Sequence, residues 1–302
     1  MVSAMLVAEQ VREALAGGIP VVALESTIFT HGLPRPRNVE VALAAEESLR
    51  SAGVVPATIG VLAGVPTVGL STDQIRSLGA DDDVMKVSLR DLPIASAKGL
   101  SGGTTVAGTA FLAARAGIPV FATGGLGGVH RGASETFDES ADLPVLARTS
   151  ILMVSAGVKS ILDIGASLER LETLSITLVG YRTTKFPGFY LADSGFAIDY
   201  SVDDAHEAAD LVRARDELGA PGAILVANPV PAEHELDPAE HDRVLQEALA
   251  AMDAAGIGGH DVTPYLLDHV QRATGGLSLD VNVAVYENNV RLAGEIATAL
   301  AG

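Results

Sequence analysis

The chain has no cysteine among its 302 residues, which excludes disulfide bonds, thiolate metal sites and cysteine nucleophiles together. Such a composition fits the cytoplasm, where disulfides are rare, and we expect a cytoplasmic protein. Long hydrophobic runs are also missing. No stretch approaches the roughly 18 apolar residues of a membrane span, and no basic segment followed by an apolar run opens the chain, so we expect a soluble, unprocessed protein.

Positive charge is scarce as well. Lysine occurs only four times, and the 20 lysines and arginines face 38 acidic residues, which gives a formal net charge of −18. Because nucleic-acid backbones and anionic membrane surfaces are bound by clustered basic residues, this balance argues against both as main partners. A small-molecule substrate remains, and a phosphorylated one would need a local cationic pocket.

The residues that are present predict an α/β fold. Hydrophobic residues make up 48% of the chain, and short β-rich apolar runs alternate with helical patterns. This alternation favours a central mixed, mostly parallel sheet covered by helices on both faces, in a single domain over residues 1–302 with a helical C-terminal portion. The segment 182–199 is the longest irregular stretch and a candidate lid or partner-contact loop.

The predicted elements divide the chain as follows. Strands are expected at residues 20–24, 57–62, 67–70, 119–122, 151–154, 176–179 and 223–226. Helices are expected at residues 39–51, 105–116, 203–217, 239–255, 264–274 and 281–301.

One of the four lysines, Lys159, stands between the apolar runs 151–154 and 161–162. An amine held among aliphatic side chains loses hydration of its charged form, so more of it is neutral near pH 7 and able to attack a carbonyl carbon. We predict that Gly157 makes a strand-to-helix turn and that Lys159 lies at or just inside the next helix, where α/β proteins keep their sites. The alternative is a lysine that extends its ammonium to water along a helix face.

Glu25 directly follows the first predicted strand and has no basic neighbour in sequence. A partly desolvated carboxyl group at that position would have a raised pKa and could donate a proton to a leaving oxygen. The alternative is a helix-capping or salt-bridged glutamate.

Five glycines lie between residues 124 and 132, directly after another predicted strand, and His130 lies among them. Glycines let the backbone approach a ligand closely or adopt positive φ, which predicts a binding loop; the alternative is a flexible turn. The segment is not a dinucleotide-binding fingerprint, because His130 occupies the position that needs the last glycine. No segment matches the lysine-bearing phosphate loop of nucleotide-binding proteins.

Asp138 and Asp142 are four residues apart and would face the same way if the segment opens a helix. Hard oxygen ligands of this kind suit Mg²⁺ or Mn²⁺ held through few carboxylates and several waters. Asp142 could equally be a helix cap.

Thr105 and Val106 follow two glycines at the start of a predicted helix, where backbone N–H groups can bind phosphate. Lys86 sits in an apolar, strand-like stretch and could supply the positive charge. The alternative is an ordinary helix N-cap.

Taken together, five separated motifs resemble the pseudouridine-5′-phosphate glycosidases, a family also described as indigoidine synthase A-like. The motifs are residues 23–28, 86–88, 127–132, 137–142 and 158–163. The resemblance extends from about residue 21 to the C-terminus and includes Asn228-Pro229 and Asn282.

This resemblance implies reversible cleavage of the C–C glycosidic bond of pseudouridine 5′-phosphate to uracil and ribose 5-phosphate, with a divalent metal, usually manganese. It also implies an α/β/α fold and a homotrimer. By position, Lys159 matches the covalent nucleophile, Glu25 the proton donor and Asp138 the metal ligand. The positions that match substrate-contacting or pocket residues are Lys86, Val106, His130, Ser140, Ala141, Asp142 and Asn282.

Two other functions are consistent with the same groups. A Schiff-base aldolase acting on a sugar phosphate would also need a buried lysine, a carboxylic acid and a phosphate site. A non-catalytic module that binds a nucleotide or sugar phosphate would need only the phosphate site.

Overall fold

A computed structural model of the chain describes residues 5–257 and 262–302. Within these residues, eleven strands form one sheet. The strands are β1 (Leu6–Val7), β2 (Val21–Leu24), β3 (Val55–Leu62), β4 (Val65–Val68), β5 (Met85–Val87), β6 (Gly102–Thr104), β7 (Val120–Ala122), β8 (Leu152–Ser155), β9 (Thr177–Tyr181), β10 (Ser201–Val202) and β11 (Ile224–Ala227).

The same residues form twelve α-helices. They are α1 (Glu9–Ala16), α2 (Arg37–Ser51), α3 (Thr72–Ala80), α4 (Leu92–Lys98), α5 (Val106–Ala116), α6 (Ala133–Thr136), α7 (Asp142–Leu146), α8 (Ile164–Thr173), α9 (Ala205–Leu218), α10 (Pro238–Ala255), α11 (Val262–Ala273) and α12 (Leu277–Ala301). None of these helices is both long enough and apolar enough to span a bilayer.

The sheet is mixed and mostly parallel, as the sequence predicts. Its strand order is β1-β4-β3-β2-β7-β8-β11-β9-β10, and β6 pairs with both β3 and β5. Only the pairings of β3 with β4 and with β6 are antiparallel among the described strands. The four central strands β2, β7, β8 and β11 are all parallel neighbours, so their carboxyl ends lie at one edge of the sheet.

Each face of the sheet has its own hydrophobic core, because successive residues of a strand point to opposite faces. In β8, Met153 joins a core that includes residues of α1, α5 and α8. Its neighbours Leu152 and Val154 join the other core, against α2, α9 and α12. Helices therefore cover both faces, and the three-layer α/β/α architecture is confirmed.

All seven predicted strands and all six predicted helices are present, with bounds that shift by up to four residues. The C-terminal portion is helical, as predicted, and segment 182–199 contains neither an α-helix nor a named strand. This segment is nonetheless packed rather than loose, since Phe186, Phe189 and Tyr190 are buried. The single domain over residues 1–302 stays a prediction.

The helix predicted directly after Gly157 is wrong. The next helix, α8, begins at Ile164, and Lys159 lies in the extended connection before it. The chain stays extended because Val158 pairs with Leu126 and the Lys159 N–H donates to the Leu126 carbonyl at 3.2 Å. The helix starts only where the Asp163 carboxylate can cap it.

The core around β7 provides a test of the fold. Phe121 is fully buried in the middle of that strand, so Phe121→Ala should lower the free energy of unfolding by about 3–5 kcal/mol through lost burial and an unfilled cavity. Phe137 is 86% exposed, and Phe137→Ala should change it by no more than about 0.5 kcal/mol. Urea unfolding of the two variants measures this difference, and equal midpoints would contradict the assigned packing.

Candidate active site

The site lies at the carboxyl edge of the four central strands. Glu25 follows β2, Thr123 follows β7, and Asn228 follows β11, while Lys159 comes four residues after the end of β8. Because these strands are adjacent and parallel, the residues that follow them converge at one edge.

The Glu25 carboxyl group is buried, with 7% of the residue exposed. Thr123 Oγ1 donates a hydrogen bond to its Oε1, and Thr27 Oγ1 donates one to its Oε2. Burial raises the pKa of Glu25, whereas the positive charge of Lys159 and the two hydroxyl donors lower it. The carboxyl is therefore neither a helix cap nor exposed to bulk water.

Lys159 is half-buried and lies close enough to Glu25 for its charge to act on the carboxyl pKa. The turn at Gly157 directs the chain so that Lys159 lies near Glu25. The φ of Gly157 is +78°, in the left-handed region that favours glycine. A Cβ at Gly157 would also meet the Pro187 carbonyl oxygen at 2.6 Å. The irregular segment 182–199 thus packs against the turn that delivers the lysine.

Asp142 joins the glycine loop to the start of α5. Its Oδ1 accepts from the Ala107 N–H and its Oδ2 from the Gly127 N–H, both at 2.9 Å. The residue is 7% exposed, so its negative charge is held by these backbone donors rather than by water. Asp142 and Asp138 do not share a helix, because α7 begins only at Asp142.

The first turn of α5 has one N–H group left for a ligand. Thr105 is the N-cap residue and its Oγ1 accepts from the Gly108 N–H at 3.3 Å. The Ala107 N–H donates to Asp142, so Val106 carries the remaining N–H of the turn. The helix start was predicted correctly, and it is capped both by Thr105 and from outside by Asp142.

Lys86 lies beside this helix start. It is in β5, directly opposite Gly103 of β6, the strand that leads into α5. Partial burial of the amine lowers the pKa of Lys86 and Lys159 lowers it further, while Asp142 and Glu25 raise it. The residue itself keeps accessible surface, so the amine stands where a ligand can reach it.

The glycine loop and the acidic run pair with each other. Val129 bridges Glu139, and the His130 N–H donates to the Asp138 carbonyl at 3.0 Å. A Cβ at Gly127 would meet Ser140 Oγ at 2.2 Å, so only glycine fits this close approach.

Asp138 and His130 form a second polar pair at this site. His130 Nδ1 lies 3.9 Å from Asp138 Oδ2, and both side chains are partly accessible. No group of three or more histidine, cysteine or acidic side chains that could hold a metal occurs within residues 5–257 and 262–302. Asp138 could serve as one carboxylate ligand of a hard cation that keeps most of its water.

Three further predicted residues, Asn282, Ala141 and Ser140, lie near this site. Asn282, on α12, places its Oδ1 3.5 Å from where a Cβ of Gly124 would stand, so it borders the glycine loop. Ala141 is exposed, and Ser140 Oγ accepts from the Asp142 N–H at 3.2 Å. Glu25, Lys159, Lys86 and Asp142 thus lie within electrostatic reach of one another, with Asn282 against the adjoining loop.

Three residues that hold Glu25, directly or through the backbone of Thr123, were not predicted from the sequence. Thr27 and Thr123 donate to its carboxylate, and Asn289 donates to the backbone carbonyls of Thr123 and Gly124 at 2.8 and 3.1 Å. Asn289 could have been recognised from the sequence. It lies two helical turns after Asn282 and therefore on the same, otherwise apolar, face of the predicted C-terminal helix. Thr27 and Thr123 carried no signal beyond their position after predicted strands.

Known proteins resemble this chain over almost its whole length. A protein of Saccharopolyspora erythraea named pseudouridine-5′-phosphate glycosidase is 64% identical over 297 residues, which cover 98% of each chain. A protein of Frankia alni with the same name is 58% identical over 299 residues, covering 99% of this chain and 83% of that one.

Solved structures show the same fold. The prealnumycin C-glycosynthase AlnA in complex with ribulose 5-phosphate superposes with a TM-score of 0.91 at 39% identity, covering 98% of this chain and 97% of that one. An indigoidine synthase A-like protein of Thermotoga maritima superposes with a TM-score of 0.90 at 36% identity, covering 100% and 98%. The family model of indigoidine synthase A like proteins matches residues 10–299, and the chain belongs to this family.

Proposed function

We propose that the protein cleaves the C–C glycosidic bond of pseudouridine 5′-phosphate reversibly, giving uracil and ribose 5-phosphate. The observation that carries this proposal is the buried Glu25 carboxyl held within electrostatic reach of the Lys159 amine at the sheet edge. Relatives at 64 and 58% identity are named for this activity, and a structural neighbour is a C-glycosynthase bound to a sugar phosphate. These names favour C–C glycosidic chemistry over an aldolase or a non-catalytic binding module.

A C–C glycosidic bond needs an unusual route. Ordinary glycosidases weaken a bond to oxygen or nitrogen by protonating the leaving group, but a carbon leaving group offers no such lone pair. Expelling a carbanion from an intact sugar ring is very unfavourable. An amine bonded to C1′ solves this problem, because its nitrogen lone pair can form an imine as the C–C bond breaks.

The first step uses both residues. Glu25 donates its proton to the ring oxygen O4′ as the C1′–O4′ bond breaks, and the Lys159 nitrogen forms a bond to C1′. The nitrogen then loses a proton, and its lone pair forms the imine while the electrons of the C1′–C5 bond pass to uracil. Uracil leaves as an enolate-like species that is protonated at C5.

Water completes the cycle. Addition of water to C1′ of the imine releases the open-chain aldehyde of ribose 5-phosphate and restores the lysine amine. In the reverse direction, C5 of uracil attacks the imine carbon. The net reaction consumes one water per pseudouridine 5′-phosphate and needs no oxidant or reductant.

The 5′-phosphate is bound at the start of α5. Lys86 supplies the positive charge, Val106 supplies a backbone N–H, and Thr105 borders the same turn. The Gly127–Asp142 contact fixes this turn relative to the glycine loop, so phosphate binding sets where C1′ lies with respect to Lys159. Ser140, His130 and Asn282 are assigned to the rest of the substrate pocket.

Asp138 is assigned as the protein ligand of a divalent cation, with Mn²⁺ as the expected ion. The half-exposed carboxylate and its neighbour His130 suit an ion that retains water ligands. A bound Mn²⁺ would supply Lewis-acid polarisation of the uracil oxygens as negative charge develops on the base.

The family resemblance also supports a cytoplasmic homotrimer, and both features are part of the proposal. The mass of the particle in solution tests the assembly. Light scattering should give about three times the 30.9 kDa of one chain, and a stable monomer would contradict it.

Lys159 can be tested directly. Lys159→Ala should reduce uracil release by on the order of 10⁴-fold or more, because the imine can no longer form. Borohydride added with ribose 5-phosphate should produce a covalent adduct on the wild-type protein that intact mass measurement detects, and none on this variant. Lys98→Ala, which removes an exposed lysine at the end of α4, is the matched control and should keep both properties. An adduct that persists in Lys159→Ala would rule out the assigned nucleophile.

Lys86 should act mainly on the phosphate. Lys86→Ala should raise the KM for pseudouridine 5′-phosphate about 10–100-fold, because a charge-assisted contact to the phosphate is lost. The KM for unphosphorylated pseudouridine should stay unchanged, and Lys86→Arg should recover part of the loss by restoring positive charge. Equal effects of Lys86→Ala on the two substrates would show that Lys86 does not bind the phosphate.

Asp138 should control metal affinity. Asp138→Asn should weaken Mn²⁺ binding at least about tenfold, measured by electron paramagnetic resonance of free Mn²⁺ without substrate. Glu135→Gln removes a nearby exposed carboxylate of α6 and should leave Mn²⁺ affinity unchanged. If the two variants bind Mn²⁺ equally, the ion is held elsewhere.

A further inference from the structure

Both oxygens of the Glu25 carboxylate accept a hydrogen bond from a threonine. Thr123 Oγ1 donates to Oε1 and Thr27 Oγ1 donates to Oε2. A hydroxyl group has a single proton, so each threonine uses its only side-chain donor for the hydrogen bond to this carboxylate. The arrangement suits the ionised form of Glu25, and a proton on either oxygen competes with the threonine hydroxyl that donates to that oxygen.

Thr123 is fixed in place. It is fully buried, its N–H donates to the Val154 carbonyl at 3.1 Å, and its own carbonyl accepts from Asn289 at 2.8 Å. Asn289 is itself fully buried, and its Oδ1 accepts from Asn228 Nδ2 at 2.9 Å. Val154 of β8 and Asn289 of α12 therefore hold the backbone of this threonine, and Asn228, just after β11, holds Asn289.

Thr27 has more freedom. It is half-buried, lies at the start of the π-helical turn Ile28–Gly32, and donates to the other oxygen of Glu25 from the one that Thr123 contacts. Partial exposure leaves room for its hydroxyl to turn towards water. The two oxygens of Glu25 are thus held by one fully buried and one half-buried partner.

We propose that Thr123 is a positioning residue that fixes Oε1 of Glu25, so that the proton donated to the sugar ring is carried on Oε2, beside Thr27. This inference rests on the proposed function, because it assigns the atom of Glu25 that delivers the proton. In that step the Oε2–H bond breaks, the proton goes to O4′, and the electrons of the C1′–O4′ bond remain on that oxygen. Glu25 is left ionised, and the Thr27 hydroxyl turns back to donate to Oε2.

Charged and titratable groups from four segments of the chain interact electrostatically with Glu25. Lys159 lowers its pKa and Asp142 raises it, while Lys86 and the buried Tyr286 feel the charge of Glu25 in turn. None of them is altered by changes at the two threonines. A hydroxyl that donates to a carboxylate favours the ionised form, so its removal raises the pKa of Glu25.

The experiment compares Thr123→Val, Thr123→Ser and Thr27→Val. Difference infrared spectra follow the carboxylic acid C=O stretch of Glu25 against pH without substrate, and Glu25→Gln assigns the band. Thr123→Val should raise the titration midpoint by about one pH unit, and Thr123→Ser should return it to the wild-type value. An unshifted midpoint in folded Thr123→Val would overturn the inference.

Kinetics distinguish the two oxygens. Because Glu25 remains protonated to higher pH in Thr123→Val, the alkaline limb of its kcat profile should move up with the infrared midpoint. Its kcat should fall about tenfold, since the carboxyl can now rotate, and Thr27→Val should lose less. A larger loss in Thr27→Val would place the proton on Oε1 instead. Shifted infrared midpoints without any uracil release would refute the proposed function and leave the positioning of Glu25 by Thr123 intact.

Discussion

The buried carboxyl group of Glu25 is the constraint on which the rest of the site depends. A carboxyl with almost no exposed surface is driven towards its neutral form by lost hydration. The charge of Lys159 and the hydroxyls of Thr27 and Thr123 act in the opposite direction. A carboxyl whose pKa is raised in this way stays protonated to higher pH, which a proton donor requires. The segments that follow β2, β7 and β8 place these partners around Glu25 at the same sheet edge.

The electrostatics of the site differ from those of the chain as a whole. The chain carries a formal net charge of −18, yet two of its four lysines, Lys86 and Lys159, lie at this one edge. Asp142 offsets part of their charge while its two oxygens hold the start of α5 against the glycine loop. Through Asp142, the helix start that we propose binds the phosphate is therefore linked to the glycine loop that borders the proposed substrate pocket.

Periodicity and composition predicted the mixed, mostly parallel sheet, seven of its strands and six of the helices correctly, because strands such as β8 are mainly apolar and helices such as α12 are long. Most of the remaining elements are short and were not predicted, such as β1 and β10 with two residues each and α6 with four, and the helix that begins at Ile164 was predicted to start too early. Lys159 is kept out of a helix by pairing with Leu126, a contact between segments 33 residues apart that local propensity does not encode. The same limit applies to Thr123, whose role depends on a hydrogen bond to Glu25 across 98 residues. Residues with distinctive chemistry can be recognised from the sequence pattern. The contacts that hold them in place join distant parts of the chain and cannot be recognised in this way.

The central claim is that an amine and a carboxyl at this edge break a carbon–carbon bond between a sugar and a base. The most direct measurement is incubation of the purified protein with pseudouridine 5′-phosphate and Mn²⁺, with both products quantified by chromatography. The account predicts that uracil and ribose 5-phosphate appear in equal amounts, and that mixing the two products regenerates pseudouridine 5′-phosphate. Release of a smaller aldehyde without uracil, or tight binding of the substrate without either product, would contradict it.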